Sequence, residues 1–184
     1  MFIVFEGVDA SGKTTTAGLL ANYLQAAYYA TPPKEFLSRR KEMDLSASID
    51  DHYRFYLNGI RQASMEIQDL LSEGKSVVGD RYWASTYVYH VVMGLAVSQE
   101  DFKDILLPDA TVLLTVSSEV QTFRFAQREM SAGDRRMFNQ QNSLSREFRK
   151  LLLKEERHLV AVDTSCLTPS EVTLQTLAEI QNFS

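Results

Sequence analysis

The chain has 184 residues, of which 45% are hydrophobic and 23% are charged, a composition typical of a globular protein, and we expect residues 1–184 to form a single domain with a substantial core. Its net charge of −5 at pH 7 argues against a nucleic-acid partner, and its one cysteine excludes an internal disulfide and a cysteine-rich zinc site. No apolar run has the length of a membrane span, and Met1 leads directly into an apolar segment, so we expect a cytoplasmic protein without a signal peptide or a membrane partner.

The first predicted element is a buried strand at Phe2–Phe5 that runs into a phosphate-binding loop. The loop, "GVDASGKT" from Gly7 to Thr14, fits the pattern G-x-x-x-x-G-K-[ST]. Its glycines let successive backbone N–H groups point at phosphate oxygens, Lys13 supplies charge for the β- and γ-phosphates, and the Thr14 hydroxyl can bind Mg²⁺. The residues predicted to bind ATP are Gly7, Asp9, Ala10, Ser11, Gly12, Lys13, Thr14 and Thr15.

The rest of the chain alternates between strand-like and helical segments. Apolar residues recur at helical spacing from Ala17 to Leu24, which predicts a helix after the loop. A strand before the loop and a helix after it argue against the alternative that the loop is a glycine-rich turn without a ligand. Further strands are predicted at 26–31, 76–80, 110–116 and 158–163, and further helices at 53–71, 119–130 and 170–181. This alternation predicts an α/β fold with a five-stranded parallel sheet covered by helices on both faces. Ligands of such sheets bind at the carboxyl ends of the strands.

Two of these strand ends carry candidate binding residues. Asp80 ends the third strand, where its carboxylate can reach the shell of a Mg²⁺ ion, and Arg81 after it is a forked donor suited to a phosphate. The second strand ends at Pro32 and Pro33, and Arg39 and Arg40 follow. Either arginine is a candidate for a second phosphate-binding residue; the alternative is that both lie on a solvated basic helix face.

An arginine-rich segment from about residue 124 to 138 is predicted to form a lid. Arg124 and Arg128 share a helix face, the small residues at 131–133 are expected to break the helix, and Arg135 and Arg136 follow. Transfer of a phosphoryl group requires positive charge around it and exclusion of water, which such a lid supplies, although a charged surface hairpin has the same composition. Because no residue resembles a dedicated general base, the acceptor is predicted to be a phosphate, already a nucleophile, and the pattern indicates a monophosphate kinase.

The motifs "FIVFEGVDASGKTT" and "GDRYWAST", the lid and the closing "VDTS" resemble the thymidylate kinase family of nucleoside monophosphate kinases, over nearly the whole chain. The resemblance implies a homodimer that transfers the γ-phosphate of ATP to dTMP with Mg²⁺ as cofactor. It implies that the acceptor nucleotide is bound by Asp9, Arg40, Phe55, Arg81, Thr86 and Tyr89, with Phe55 stacked on the base, and that Mg²⁺ is bound by Thr14 and Asp80. Since the phosphate loop contains no arginine, the catalytic residues are expected to be Lys13, Arg81, Arg124, Arg128 and Arg135.

One departure from this family concerns the base. Typical members carry an arginine four residues after the stacking phenylalanine, which donates to O4 of thymine, whereas the same count from Phe55 reaches Gly59. Together with "TPPKEF" and "LLPDATVLLTVS", this feature is similar to the UMP–CMP kinase branch of the family. The sequence therefore leaves dTMP, dUMP, dCMP, UMP and CMP open as acceptors, with Arg61 or Thr86 as alternative base-reading groups.

Other functions of the same fold are less well supported. A deoxynucleoside kinase is expected to carry a carboxylate base in a Glu-Arg-Ser motif, where this chain has Asp80-Arg81-Tyr82. A non-catalytic guanine-nucleotide switch requires an Asn-Lys-x-Asp motif, which the sequence lacks, and the intact Lys13 and Thr14 argue against an inactive relative.

Overall fold

The computed structural model of the protein describes residues 1–155 and 158–182. The described residues form five strands, β1 (Phe2–Gly7), β2 (Ala27–Ala30), β3 (Val77–Asp80), β4 (Ala110–Thr115) and β5 (Leu159–Asp163). Their helices are α1 (Lys13–Leu24), α2 (Lys34–Ser46), α3 (Ile49–Ser72), α4 (Trp83–Val92), α5 (Ser118–Ala126), α6 (Ala132–Met137), α7 (Gln141–Glu155) and α8 (Pro169–Gln181). No helix in these two ranges combines the length and the hydrophobicity needed to cross a membrane.

The strands form one parallel sheet in the order β2-β3-β1-β4-β5, which confirms the predicted fold class. Strand β1 is central, with Phe5 beside Asp80 of β3 and Gly7 beside Leu114 of β4. This register brings the phosphate loop after β1 and the Asp80–Arg81 step after β3 to the same edge of the sheet.

Both faces of the sheet are covered. Helices α1 and α8 pack on one face, where Leu20, Val172 and Leu177 contact the sheet residues of one core cluster. Helices α3, α4 and α7 cover the other face, where Ile60 and Val88 belong to a second cluster. Since side chains alternate along a strand, β1 contributes to both clusters, and the core fixes the loop that leaves it.

Several helix boundaries differ from the prediction for reasons of capping. Helix α3 begins four residues before the predicted Tyr53, because the Ser48 hydroxyl accepts a hydrogen bond from the Asp51 N–H at 3.1 Å and caps the helix earlier. The prediction of one helix over 119–130 is wrong, since α5 ends at Ala126. The residues at 131–133 do not simply break a helix either, because Ser131 and Asp134 form a reciprocal capping box that begins α6.

Candidate active site

The phosphate loop depends on glycine at two positions. Gly7 has φ of 136°, and a Cβ there would lie 2.2 Å from the Leu114 carbonyl oxygen of the neighbouring strand. Gly12 has φ of 95° and immediately precedes α1. Both backbone conformations are in the left-handed half of φ space, which side chains rarely adopt. The chain thereby turns from a buried strand into a helix whose first N–H groups face the loop, an arrangement that binds anions.

Lys13 lies inside this loop rather than in solvent. Its side chain is buried, and its Nζ donates to the Val8 carbonyl oxygen at 2.5 Å and to Ser11 Oγ at 3.4 Å. Burial and the positive charge of Arg81 lower the pKa of Lys13 to about 7, although Asp9, Asp80 and Glu6 oppose the shift. Negative charge from bound nucleotide phosphates would raise the pKa of Lys13 and keep its ammonium group protonated.

Thr14 and Asp80 form the candidate magnesium site. The Thr14 hydroxyl donates to Asp80 Oδ2 at 2.6 Å, and the Tyr28 hydroxyl donates to the same oxygen at 3.0 Å. Among residues 1–155 and 158–182, no group of three or more His, Cys, Asp or Glu side chains is arranged to hold a metal ion. Mg²⁺ commonly takes one or two protein oxygens and completes its octahedron with phosphate and water, so a hydroxyl beside a carboxylate fits it.

Arg81 is held next to the loop by four groups. Its Nη1 donates to the Gly7 carbonyl oxygen at 3.2 Å and to Ser85 Oγ at 3.1 Å. Its Nη2 forms an ion pair with Asp9, and the guanidinium lies 5.3 Å from the centre of the Tyr89 ring. The Tyr89 hydroxyl donates to the second Asp9 oxygen at 2.7 Å. Burial raises the pKa of Asp9, but the charges of Arg81 and Lys13 outweigh it and hold the pKa below its ordinary value.

Glu6, which the sequence analysis did not select, supports this arrangement. Its buried carboxylate accepts hydrogen bonds from the N–H groups of Tyr82 and Ser85, at 2.9 and 3.1 Å, and from Ser85 Oγ at 2.5 Å. These contacts cap α4 from another element and hold the chain just after Arg81, whose φ of 66° is left-handed. Because the Ser85 hydroxyl donates its hydrogen bond to Glu6, its oxygen is oriented to accept a hydrogen bond from Arg81.

A cavity of about 450 Å³ extends from this region between α2, α3, α4 and the lid segment, a volume within the range of small-molecule sites. The structure brings most of the predicted site residues into its lining. They are Asp9, Thr14, Arg40, Asp80, Arg81, Thr86, Tyr89 and Arg128. Lys13 and the remaining loop residues, Gly7, Ala10, Ser11, Gly12 and Thr15, adjoin the cavity through Asp9 and Thr14 without lining it.

Phe55 is not brought into the cavity. It packs edge-on against Phe36, with ring centres 5.2 Å apart, and lines a separate groove with Arg39 between α2 and α3. The next residue, Tyr56, lines the cavity instead, one helical turn after His52. Of these two adjacent aromatic side chains of α3, Tyr56 is therefore the one that lines the cavity.

Neither of the other positions considered for base recognition on α3 faces the cavity. A Cβ on Gly59 would lie 3.2 Å from Pro32 Cβ and 3.6 Å from the Phe36 ring, so an arginine there would enter the α2 interface. Arg61 donates to the Asp101 carbonyl oxygen at 3.3 Å at the exposed surface. Thr86 does line the cavity, and its carbonyl oxygen accepts from His90 Nδ1 at 2.6 Å.

The arginines of the predicted lid differ in their surroundings. Arg124 donates to the carbonyl oxygens of Ala10 and Thr164 at 3.1 and 2.7 Å and to Thr164 Oγ1 at 2.9 Å, so it ties the phosphate loop to the turn after β5. Arg128 pairs with Asp134 at 2.8 Å at the cavity wall. Arg135 is exposed outside the cavity.

Arg136, noted in the sequence but not selected as a site residue, lines the cavity and donates to the Asp44 carbonyl oxygen at 3.4 Å.

A family model described as "Thymidylate kinase" matches residues 5–172. The chain belongs to the thymidylate kinase family. A probable thymidylate kinase of Methanococcus vannielii is 33% identical over 93% of this chain and 90% of its own, and one of Methanocaldococcus jannaschii is 30% identical over 100% and 97%. Thymidylate kinase structures from Candida albicans and Ehrlichia chaffeensis share the fold, with TM-scores of 0.82 and 0.76 at 21% identity. Each alignment covers 98% of this chain. It covers 91% of the Candida albicans chain and 98% of the Ehrlichia chaffeensis chain.

As a member of this family the protein is a nucleoside monophosphate kinase, an enzyme that phosphorylates a pyrimidine nucleoside monophosphate with ATP as the phosphate donor. The predictions of the family, of the kinase activity and of nucleotide substrates are thereby confirmed.

Proposed function

We propose that the kinase transfers the γ-phosphoryl group of ATP to pyrimidine deoxynucleoside monophosphates, dTMP among them, in the cavity behind the phosphate loop. The observation that supports this proposal most strongly is the position of Arg81, fixed by Asp9 and Ser85 at the point where the cavity meets Thr14 and Asp80. A forked guanidinium there can bind the acceptor phosphate and point it at the donor phosphates.

In this proposal each residue has a chemical role. Lys13 and the loop N–H groups bind the β- and γ-phosphates, and Thr14 and Asp80 hold Mg²⁺, which would neutralise charge on the phosphate oxygens when bound. Arg81, with Arg40, holds the acceptor phosphate. The lid arginines that line the cavity supply positive charge around the transferring group, because Ala10 and Ser11 leave the loop without an arginine.

The base pocket supports relaxed selectivity among pyrimidines. Its α3 wall presents Tyr56 and His52 to the cavity, and no arginine of that helix lies there. A hydrogen bond from a charged donor contributes about 1.5–3 kcal/mol, or about 10- to 150-fold in discrimination. Without it, dCMP and dUMP are expected to be phosphorylated at rates comparable to dTMP or higher. The Tyr89 ring beside Arg81 favours deoxyribose by excluding a 2′-hydroxyl.

Other features of the proposal concern the whole protein. We propose that residues 1–184 act as one kinase domain with a lid at about 124–138, and that the kinase is a homodimer located in the cytoplasm, as the family resemblance implies. Sedimentation or light scattering of the purified protein tests the dimer.

The acceptor is tested by ADP release with ATP and Mg²⁺ and a panel of dTMP, dUMP, dCMP, UMP, CMP and the matching nucleosides. The proposal predicts turnover of the deoxynucleotides with kcat/KM values within about tenfold of one another. Selectivity for dTMP above about a hundredfold would contradict the base assignment, and turnover of nucleosides alone would contradict the acceptor class.

A further inference from the structure

A chain of buried side chains runs along the cavity wall away from the phosphate loop. His90 Nδ1 lies 2.6 Å from the Thr86 carbonyl oxygen, His90 Nε2 lies 2.8 Å from His52 Nδ1, and His52 Nε2 lies 3.2 Å from Asp44 Oδ1. The Tyr56 hydroxyl donates to the same Asp44 oxygen at 2.7 Å. We call Asp44, His52 and His90 the relay.

The two ends of the relay determine where its protons lie. A carbonyl oxygen only accepts, so His90 Nδ1 carries a proton, and a carboxylate only accepts, so His52 Nε2 carries one. The contact between the rings requires one further proton. Three protons on four ring nitrogens are one more than two neutral imidazoles hold, so the pair carries one positive charge beside Asp44.

The charge of the pair is disfavoured on the His90 ring. Burial and the charges of His52 and Arg136, together outweighing the Thr86 hydrogen bond, lower the pKa of His90 to about 4. Burial raises the pKa of Asp44, but the hydrogen bonds from His52 and Tyr56 outweigh it and hold the pKa below its ordinary value. The relay thus places the protonated histidine pair against the Asp44 carboxylate, and the side chains of His52 and Asp44 are each 6% exposed.

Asp44 joins three elements around the cavity. Besides His52 and Tyr56 of α3, it approaches Arg40 of its own helix at 3.6 Å. Its backbone carbonyl accepts from Arg136 of α6 at 3.4 Å, and a Cβ on Gly133 would lie 3.5 Å from its Oδ2. The position of this carboxylate therefore affects the acceptor-facing arginine, the aromatic wall and the lid helix together.

We propose that His52 is a positioning residue for the acceptor nucleotide: paired with His90 in the relay, it fixes Asp44 and, through Asp44, the Arg40, Tyr56 and lid contacts that form the acceptor pocket. The inference rests on the proposed acceptor site. When the relay loses its extra proton, two acceptors face each other either at the His52–His90 contact of 2.8 Å or at the His52–Asp44 contact of 3.2 Å, so His52 no longer holds both of its partners. Acceptor binding then weakens as pH rises.

The relay has charged and titratable neighbours on each helix packed against it. They are Arg40 on α2, Tyr53 and Tyr56 on α3, and Arg136 on α6. Burial raises the pKa of both tyrosines, so neither hydroxyl loses its proton in the range where histidine ordinarily titrates. Both arginines stay charged throughout it.

Two isosteric variants separate the contacts of His52. In His52→Gln the amide nitrogen lies near the place of Nε2, so donation to Asp44 is kept without a titrating charge. In His52→Asn the amide nitrogen lies near the place of Nδ1, so the contact with His90 is kept and that with Asp44 is lost. Calorimetric binding of dTMP without ATP is measured for each protein from about pH 5.5 to about pH 8.5, with the thermal midpoint and the affinity for a non-hydrolysable ATP analogue as controls.

The wild type is expected to bind dTMP about 10- to 100-fold more weakly at the high end of this range, the change expected for losing a charge-assisted hydrogen bond. His52→Gln is expected to show only the titrations of the dTMP phosphate and of Lys13, which the wild type shares, and His52→Asn to bind weakly at every pH. Affinity for the ATP analogue at each pH is expected to equal that of the wild type in both variants. A wild-type profile parallel to that of His52→Gln overturns the inference, as does wild-type affinity in His52→Asn. Absence of dTMP binding by the wild type contradicts the proposed acceptor instead.

Discussion

The arginines at 124, 128 and 135 are close in sequence, yet the structure predicts three different results when each is replaced by alanine. Arg124 makes three hydrogen bonds that join the phosphate loop to the turn after β5. Hydrogen bonds from a charged donor contribute about 1.5–3 kcal/mol each, and Arg124 is only half-buried, so we expect a total loss of about 2–4 kcal/mol. For a chain of this size that corresponds to a fall in Tm of about 4–16 °C.

Arg128 is expected to behave in the opposite way. It is 46% exposed, and its ion pair with Asp134 contributes at most about 1 kcal/mol, so Arg128→Ala should lower Tm by no more than about 4 °C. Since it lines the cavity, it can stabilise charge on the transferring phosphoryl group, and its loss is expected to lower kcat about 100- to 1000-fold with little change in the KM for ATP.

Arg135→Ala is the matched control, because this side chain is exposed outside the cavity. The changes in Tm and in kcat should each correspond to no more than about 0.5 kcal/mol, the effect of an ordinary surface substitution. Differential scanning calorimetry and a coupled ADP assay measure the two quantities. If Arg135→Ala loses kcat while Arg128→Ala keeps it, the described orientation of the lid segment is not the one in which transfer occurs.

Three further predictions concern the loop and the cavity walls. Lys13→Ala should raise the KM for ATP and Arg81→Ala the KM for the acceptor, each lowering kcat/KM at least about 100-fold, and unchanged turnover in Arg81→Ala would refute the acceptor assignment. Gly7→Ala should fail to give folded protein by circular dichroism, because its Cβ would lie 2.2 Å from a β4 carbonyl oxygen, and a wild-type melt would contradict this. Tyr56→Phe should weaken acceptor binding severalfold in calorimetry, whereas Phe55→Leu should leave it within about twofold; the reverse order would restore Phe55 as the base-facing residue.

The sequence allowed prediction of the parallel sheet and of the phosphate loop because these features depend on local patterns. A buried strand, two glycines and a following amphipathic helix are contiguous in the chain, and parallel strands must end at a common edge. Asp80 and Arg81 follow a predicted strand of that sheet, which places them at the same edge as the phosphate loop.

The orientation of α3 differs from the one that the resemblance implies. Neighbouring residues of a helix point about 100° apart. The resemblance therefore predicts that the face carrying Phe55 points toward the site, whereas the apolar stripe with Tyr56, Ile60 and Ala63 predicts a different face. The structure follows the stripe. The periodicity therefore held the signal for the cavity-facing aromatic residue.

Contacts between distant segments were not predictable from local patterns. His52 and His90 are 38 residues apart and meet only because α3 packs on α4. Glu6 lies between the predicted strand and the predicted phosphate loop, and only the register of β1 against β3 shows that it caps α4. For Arg136 a signal did exist, since the Ser131–Asp134 capping box fixes where α6 begins and therefore which arginine faces inward.

The central claim, that the cavity behind Arg81 receives a nucleoside monophosphate as phosphoryl acceptor, is tested most directly by ³¹P NMR of the purified kinase with ATP, Mg²⁺ and dTMP. The dTMP resonance is expected to be replaced by the two resonances of dTDP, with one dTDP formed for each ADP. Formation of ADP and inorganic phosphate with dTMP unchanged, under the same conditions, would contradict it.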